Sequence, residues 1–131
     1  MSDTSPVLDA RSRLTPIQIG PVQIDEPVLL APMSGVSDLP FRKLVSGYGA
    51  GLGMSEMIAS QAMIYQNKRT MKMATTSEDE YPMAVQLAGT QPELMAEAAR
   101  LNAARGATII DINMGCPARK VVNGYAGSAL M

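Results

Sequence analysis

The sequence predicts an α/β fold built from parallel βαβ units. Short continuous apolar runs recur along the chain, and stretches with helical periodicity separate them. The 131 residues are 47% hydrophobic and 18% charged, which supplies enough apolar mass for the core of one domain. No Pro/Gly/Ser-rich linker divides the chain, so we expect a single domain or part of one.

The composition excludes several kinds of chemistry. The chain has no histidine, which removes histidine triads and histidine metal ligands, and its single cysteine removes an internal disulfide and a cysteine-rich zinc site. A formal net charge of −1 gives no global sign of nucleic-acid binding. The first residues lack a signal-peptide pattern, and no run approaches the roughly 20 apolar residues of a membrane span. We therefore expect a soluble, cytoplasmic protein without a metal.

The N-terminal region predicts an arm followed by a hairpin. Residues 1–16 are polar and contain two prolines, which favours a loosely held arm. Residues 17–19 and 22–24 alternate apolar and polar side chains around Gly20-Pro21, a pattern typical of two short antiparallel strands joined by a tight turn.

The next region predicts the first strands and a helix. Residues 28–31 form a continuous apolar run, which predicts a strand buried on both faces. Ser37-Asp38 predicts the start of a helix that ends near Gly47. Residues 51–54 predict a weaker strand, since glycines loosen it. The polar residues 75–80 predict a solvated loop before the next strand.

The C-terminal half contains the clearest elements. Residues 83–87 and 108–113 are apolar runs that predict buried strands. Between them, Thr90 and Glu93 match a capping box at the start of a helix, and Gly106 supplies a left-handed stop at its end.

Polar and reactive residues follow the predicted strands, where the active sites of parallel α/β folds gather. Cys116 lies in a Gly-Cys-Pro turn after the last strand, with Arg119 and Lys120 close behind. A cationic neighbourhood favours its thiolate, and a dry pocket would instead keep the proton on and make the thiol a general acid. The alternative is a small buried apolar residue, the commonest role of a free cysteine.

Other strand ends carry candidates with open alternatives. Gln86 either contacts a ligand or satisfies strand backbone, and Asn113 either orients a ligand or organises its own turn. Pro32 and Met33 follow the strand predicted for residues 28–31. They either contact a ligand or have only a structural role, Pro32 in the loop and Met33 in the core. Gly35 would allow the backbone to approach a ligand closely.

Four segments of the chain match a known family. They are LLAPMSGVSDLPFRKLVSGYGAG, SEMIAS, PMAVQLAG and DINMGCPARKVVNGYAGSAL. Together they resemble the tRNA-dihydrouridine synthases, with the strongest likeness to the bacterial B-type branch. The likeness covers residues 17–131, and the segment containing Cys116 is highly specific when it occurs in this order with the others.

A doubly wound domain could be complete near this length, but the resemblance implies a larger fold. Residues 17–131 would form the N-terminal half of a (β/α)₈ TIM barrel, truncated, since such a barrel needs about 200–250 residues. The rest of the barrel and a C-terminal helical domain would lie beyond residue 131, and the chain alone would be inactive. We then expect exposed apolar side chains around Val85, Leu87, Ile109 and Ile110.

The resemblance also implies a reaction, the FMN-dependent reduction of uridine to 5,6-dihydrouridine in tRNA with NADPH as reductant. Cys116 matches the catalytic acid of the family, and Ser34 stands where the family usually has alanine. Another FMN barrel oxidoreductase, similar to dihydroorotate dehydrogenase, and a non-catalytic interaction fragment are the alternatives. The implied flavin contacts are Pro32, Met33, Ser34, Gln86 and Asn113, and the implied contacts to tRNA are Asn113, Arg119 and Lys120.

Overall fold

The computed structural model describes residues 14–131. Most of the predicted arm, residues 1–13, lies outside the described residues, and residues 14–16 are exposed chain before the first strand. None of the helices between residues 14 and 131 is long and apolar enough to cross a membrane. In chain order the elements are β1 (Ile17–Ile19), β2 (Val22–Ile24), α1 (Leu39–Gly47), β3 (Gly53–Met54), β4 (Ile58–Ala59), α2 (Ser60–Ile64), α3 (Lys68–Met73), β5 (Met83–Ala88), α4 (Pro92–Ala104), β6 (Ile109–Ile112), α5 (Arg119–Val122) and a 3₁₀ helix (Gly127–Leu130).

The predicted hairpin is confirmed. Strands β1 and β2 pair antiparallel, and Gly20 turns the chain with a φ of +55° that favours glycine. Alternation decides which face is covered, since Val22 and Ile24 are buried while the residues between and before them are exposed. Ile24 packs with Leu52 and Ala84 in a small apolar cluster, which attaches the hairpin to the main sheet.

The main sheet is parallel, as predicted. Strands β3, β4 and β6 all run parallel to β5. Because β6 pairs with the same β5 residues as β3 and β4 do, it occupies one edge of β5 and the other two occupy the opposite edge. The sheet therefore follows chain order from β3 and β4 through β5 to β6.

The strand predicted for residues 28–31 is wrong. Only Leu29 pairs, through an isolated parallel bridge to Leu52, and its side chain is 42% exposed. Pro27 and Pro32 bracket the segment and remove two backbone donors from any ladder. Within the described residues it lies at the outer edge of the sheet, so one side stays unpaired and its faces stay open.

Strand β5 is the centre of the core. All six of its residues are buried, which confirms the predicted strand and contradicts the expected exposure around Val85 and Leu87. The expectation failed because side chains of α2, α3 and α4 cover the face of β5 that carries Val85 and Leu87 within this chain. Strand β6 is also confirmed, but Ile109 and Ile110 are only half-buried. The core cluster comprises Ile58, Met63, Ala74, Met83, Val85, Leu87 and Ala98.

Helix α4 begins one residue later than the capping box requires. Gln91 is the N-cap and makes no side-chain capping bond, while Pro92 fills the first helical position. Glu93 is therefore the second helical residue rather than the third, from which its carboxylate would accept from the backbone amide of the N-cap residue, and the predicted box does not form. The predicted end of the helix is confirmed, since Gly106 has a φ of +104°.

Helix α1 follows the prediction at its start but buries an unexpected side chain. The Asp38 carboxylate accepts a hydrogen bond from the Phe41 amide over 3.1 Å and caps the helix. On the next turn the guanidinium of Arg42 is buried in an ion pair with Glu80. The solvated loop predicted for residues 75–80 is thus wrong at Glu80, because pairing with Arg42 compensates the burial of its charge.

Candidate active site at the carboxyl ends of the strands

Gln86 lies in β5 with its side-chain amide held from both ends. Its Nε2 donates to the Asp111 carboxylate over 2.6 Å, and its Oε1 accepts from the Asn113 side-chain amide over 2.9 Å. The parallel register sets this arrangement, since Gln86 and Asp111 are direct partners on β5 and β6. An amide that is buried to this degree and held at both ends has a fixed orientation, and its contact with a ligand stays a prediction.

Asn113 links this pair to the cysteine turn. Its backbone amide donates to the carbonyl of Leu87 over 2.9 Å, which continues the β5–β6 ladder past the end of the strand. Its side-chain Oδ1 accepts from the backbone amides of Gly115 and Cys116 over 3.2 and 2.9 Å. The residue therefore organises its own turn, one of the two roles left open by the sequence, and its contact with a ligand stays a prediction.

Cys116 is half-buried at the apex of this turn, and the end of the chain approaches it closely. The Ser128 amide donates to the carbonyl of Cys116 over 3.0 Å. A Cβ on Gly127 would lie 2.6 Å from that carbonyl oxygen, so only glycine permits this approach, and its φ of +61° also favours glycine. The 3₁₀ helix thus supports the cysteine turn, a role the sequence did not reveal.

Arg119 and Lys120 lie on α5, just after the cysteine turn, and both are exposed. No ion pair forms at either side chain within residues 14–131. Lys120 borders a cavity of about 460 Å³ beyond the ends of β4 and β5, which the start of α4 also lines. Gln86, Asn113 and Cys116 do not line that cavity.

The loop that follows residues 28–31 carries Pro32, Met33 and Ser34. Met33 is fixed by Ser37, whose hydroxyl accepts from its amide over 2.9 Å and donates to its carbonyl over 3.1 Å. Pro32 is half-buried, whereas Met33 and Ser34 are exposed, so their side chains are open to a ligand. Gly35 completes the loop with a φ of +77°.

Three residues of the site escaped the sequence analysis: Asp111 in β6, and Ser55 and Glu56, which lie between β3 and β4. The Ser55 hydroxyl accepts from the backbone amide of Gln86 over 3.0 Å, and the Glu56 carboxylate accepts from the Gly35 amide over 2.6 Å. These bonds bring the 32–35 loop and Gln86 to one region. The signal was a pair of polar residues interrupting a strand, and Asp111 was similarly visible as a charge inside an apolar strand.

Charge and donor chemistry narrow what the site can hold. Between residues 14 and 131, no three Cys, Asp or Glu side chains are grouped to hold a metal ion. The groups that gather are amides, a carboxylate, a thiol and a loop with exposed side chains. Such a set is suited to an organic ligand with hydrogen-bonding edges rather than to a metal ion.

A parallel sheet in chain order, with polar and thiol groups at the carboxyl ends of its strands, is typical of an α/β enzyme. A family model described as dihydrouridine synthase (Dus) matches residues 29–131, and the chain belongs to this family. The resemblance found in the sequence is therefore confirmed.

Curated relatives agree with the family model. A probable tRNA-dihydrouridine synthase of Rickettsia bellii is 54% identical over 116 residues, which cover 88% of this chain and 36% of the relative. The tRNA-dihydrouridine synthases B of Xanthomonas campestris pv. campestris and Pseudomonas syringae pv. tomato are 50% and 46% identical, over 88% and 90% of this chain and 35% of each relative. The chain thus spans about a third of the length of these relatives.

Proposed function

We propose that this chain is the N-terminal part of the catalytic barrel of a tRNA-dihydrouridine synthase, which reduces uridine to 5,6-dihydrouridine in tRNA with FMN and NADPH. The observation that carries the proposal is the hydrogen-bonded set of Gln86, Asn113 and Cys116 at one end of a parallel sheet. The family match and the names of the relatives support it, and they favour a synthase over a dihydroorotate dehydrogenase-like enzyme.

The sheet order supports a barrel for residues 17–131. In a (β/α)₈ barrel each strand pairs with the next in sequence, whereas a doubly wound sheet reverses its order at a switch point. Here β3, β4, β5 and β6 follow chain order, and Leu29 bridges to Leu52 just before β3. This is the order expected of the first strands of a barrel.

The donor set fits the flavin ring of FMN. A flavin has a flat apolar body with C=O and N–H groups along one edge, and an amide can serve either kind of group. We propose that Gln86 and Asn113 bind that edge, and that Pro32, Met33 and Ser34 contact the ring. When bound, FMN supplies the hydride chemistry that no side chain of this chain provides.

Cys116 is the proposed proton donor. Reduction of the 5,6 double bond of uracil adds a hydride equivalent at C6 and a proton at C5, so the site needs one acid. A thiol can donate its proton to a group within hydrogen-bond reach. The bond from the Cys116 amide to Asn113 fixes the backbone that carries the thiol. Solvent then returns a proton to the thiolate.

Arg119 and Lys120 are the proposed contacts to tRNA. They place two exposed positive charges directly after the cysteine turn, and exposed cations bind phosphates by counterion release. The target base must leave its stack to reach a thiol held in a turn, which favours an unpaired uridine. Since tRNA is the proposed substrate, we place the protein in the cytoplasm.

To test the proposal, this chain is joined to the rest of a relative, that is, to the part of the relative that this chain does not match. Residues 17–131, the part of the chain that carries the resemblance, replace the matching segment of the Xanthomonas campestris relative, and the product is called the chimeric synthase below. We expect it to retain FMN and to form dihydrouridine in tRNA lacking that modification. A folded chimeric synthase that binds FMN and tRNA but leaves every uridine unreduced would refute the proposal.

A further inference from the structure

Strands β3 and β4 are two pieces of one strand, interrupted where the site lies. Met54 pairs with Ala84 and Ile58 with Leu87, so four steps along one side match three along β5. The extra residue makes a β-bulge of Ser55, Glu56 and Met57, which we call the Ser55–Met57 bulge. Bulges bend a strand and re-aim its side chains, and they are common beside active sites.

Ser55 ties the bulge to β5. Its amide donates to the carbonyl of Ala84 over 2.9 Å, and its hydroxyl accepts from the amide of Gln86 over 3.0 Å. The hydroxyl also donates to the carbonyl of Glu56 over 2.8 Å. The side chain thus replaces the backbone acceptor that the bulge withdraws from Gln86, and it holds the two segments together without a regular ladder.

Glu56 ties the same bulge to the opposite loop. Its carboxylate accepts from the Gly35 amide over 2.6 Å, and the residue is only 8% exposed. A short bond of this kind to a charged acceptor is stronger than a neutral one. Burying a carboxylate is costly, and the sheet itself does not require an acid at this position. The observed partner of the charge is the loop that carries Pro32, Met33 and Ser34.

We infer that Glu56 is a positioning residue: by accepting from the Gly35 amide it sets the loop of residues 32–35 relative to Gln86, and so sets the spacing of the two proposed groups of flavin contacts. The inference rests on the proposed function for the identity of that ligand. Ser55 and Glu56 are adjacent on one bulge and bind opposite sides of the site, so a shift of either side must strain the bulge.

The test compares three substitutions of Glu56 in the chimeric synthase. Glu56→Ala removes the acceptor, Glu56→Asp withdraws it by one methylene, and Glu56→Gln keeps a carbonyl oxygen in its place. Glu78→Ala is the matched control, because Glu78 is an exposed acid on a loop. The readouts are FMN affinity, the flavin absorbance spectrum, and amide hydrogen exchange in residues 32–36 without flavin.

We expect Glu56→Ala and Glu56→Asp to weaken FMN binding about tenfold or more and to speed exchange at Gly35. Glu56→Gln restores most of both, and Glu78→Ala changes neither. Should Glu56→Ala unfold the protein, Glu56→Asp supplies the same comparison with nearly the same volume. Unchanged exchange and FMN affinity in Glu56→Asp, or loss of both in Glu56→Gln, would overturn the inference. If exchange at Gly35 is faster in Glu56→Asp but the chimeric synthase with Glu56 in place is itself inactive, the positioning of the loop is supported and only the proposed function is refuted.

Discussion

The side-chain amide of Asn113 donates to the side-chain carbonyl of Gln86 over 2.9 Å, which joins the end of β6 to the middle of β5. The other end of the same side chain accepts from the backbone of Cys116. One residue therefore couples the proposed flavin contact to the proposed acid. Since Asp111 holds the second end of the Gln86 amide, neither Gln86 nor Asn113 can turn without breaking a bond to its neighbour.

Asn113→Ala tests this coupling. The substitution removes one donor to Gln86 and the acceptor for two backbone amides, so we expect a loss of about 1–3 kcal/mol in the free energy of unfolding. The rate of dihydrouridine formation should fall even at temperatures where the variant is fully folded, because Gln86 and the cysteine turn both lose a partner. Thermal unfolding and single-turnover assays of the chimeric synthase measure the two effects. Asn123→Ala, at an exposed position, is the control, and equal effects of both substitutions would contradict the coupling.

Cys116→Ala tests the proton donor. We expect dihydrouridine formation to be abolished, since the acid is lost. NADPH should still reduce the flavin at nearly the same rate as in the chimeric synthase that keeps Cys116. The measurement is a single-turnover assay on tRNA together with stopped-flow absorbance of the flavin. An alanine variant that modifies tRNA at the unmodified rate shows that the acid is another group.

Two neighbouring ion pairs give a matched test of burial. Arg42 and Glu80 are buried, whereas Lys43 and Asp79 join the same two segments at the surface. Glu80→Ala leaves the Arg42 charge buried and unpaired, so we expect a loss of about 3–5 kcal/mol. Thermal unfolding of the chimeric synthase at neutral pH compares this variant with Asp79→Asn.

The surface pair is expected to contribute little, and only above acidic pH. The hydrogen bond and positive charge of Lys43 lower the pKa of the Asp79 carboxyl below its ordinary value of 3.8. A lowered pKa means that any stabilisation is present above the unfolded-state value and is lost as pH falls through the folded-state value. Because Asp79 is fully exposed, Asp79→Asn should not shift the unfolding temperature measurably at pH 7. A shift as large as that of Glu80→Ala would mean that burial does not decide the difference.

Local pattern predicted those elements whose sequence and surroundings agree. Alternation predicted the hairpin, and an apolar run between a polar loop and a helix predicted β5. The run at residues 28–31 has the same pattern as β5, but its burial depends on a neighbouring strand, which no local pattern reports. The Thr90 capping box failed because Pro92 competes for the first helical position.

The candidate site divides in the same way. Gln86 lies within one apolar strand, and Asn113 and Cys116 follow the next, so their positions in the sequence already place them on neighbouring strands of a parallel sheet. Ser55 and Glu56 act through a bulge whose extra residue appears only when two strands are set in register. The role of Glu80 likewise depends on Arg42, which is distant in the sequence. From the sequence alone, Arg42 is expected to be an ordinary surface charge.

The 131-residue chain by itself is expected to bind FMN weakly. Pro32, Met33, Ser34, Gln86 and Asn113 are proposed to contact only the ring. Phosphate groups are usually held by backbone amides at loops late in a barrel, beyond the strands this chain provides. Fluorescence titration of the purified chain with FMN, compared with the chimeric synthase, measures the difference. Stoichiometric FMN on the purified chain would contradict this expectation.

The same chain is also expected to self-associate. Strand β6 and the bridged segment of residues 28–31 form the two outer edges of its parallel sheet, each edge is open within the described residues, and open edges pair with other chains. Three exposed apolar side chains lie on those edges, Val28, Leu29 and Ile112, at 49%, 42% and 55% exposed, whereas the residues of β5 are buried. Each such side chain left in water forgoes up to about 1.5–3 kcal/mol, against about 5–15 kcal/mol of net stability for a whole domain. Light scattering at micromolar concentration should therefore show oligomers, and a dye for apolar surfaces should bind. A monomer with a cooperative thermal transition and no dye binding would favour a compact domain of 131 residues over part of a barrel.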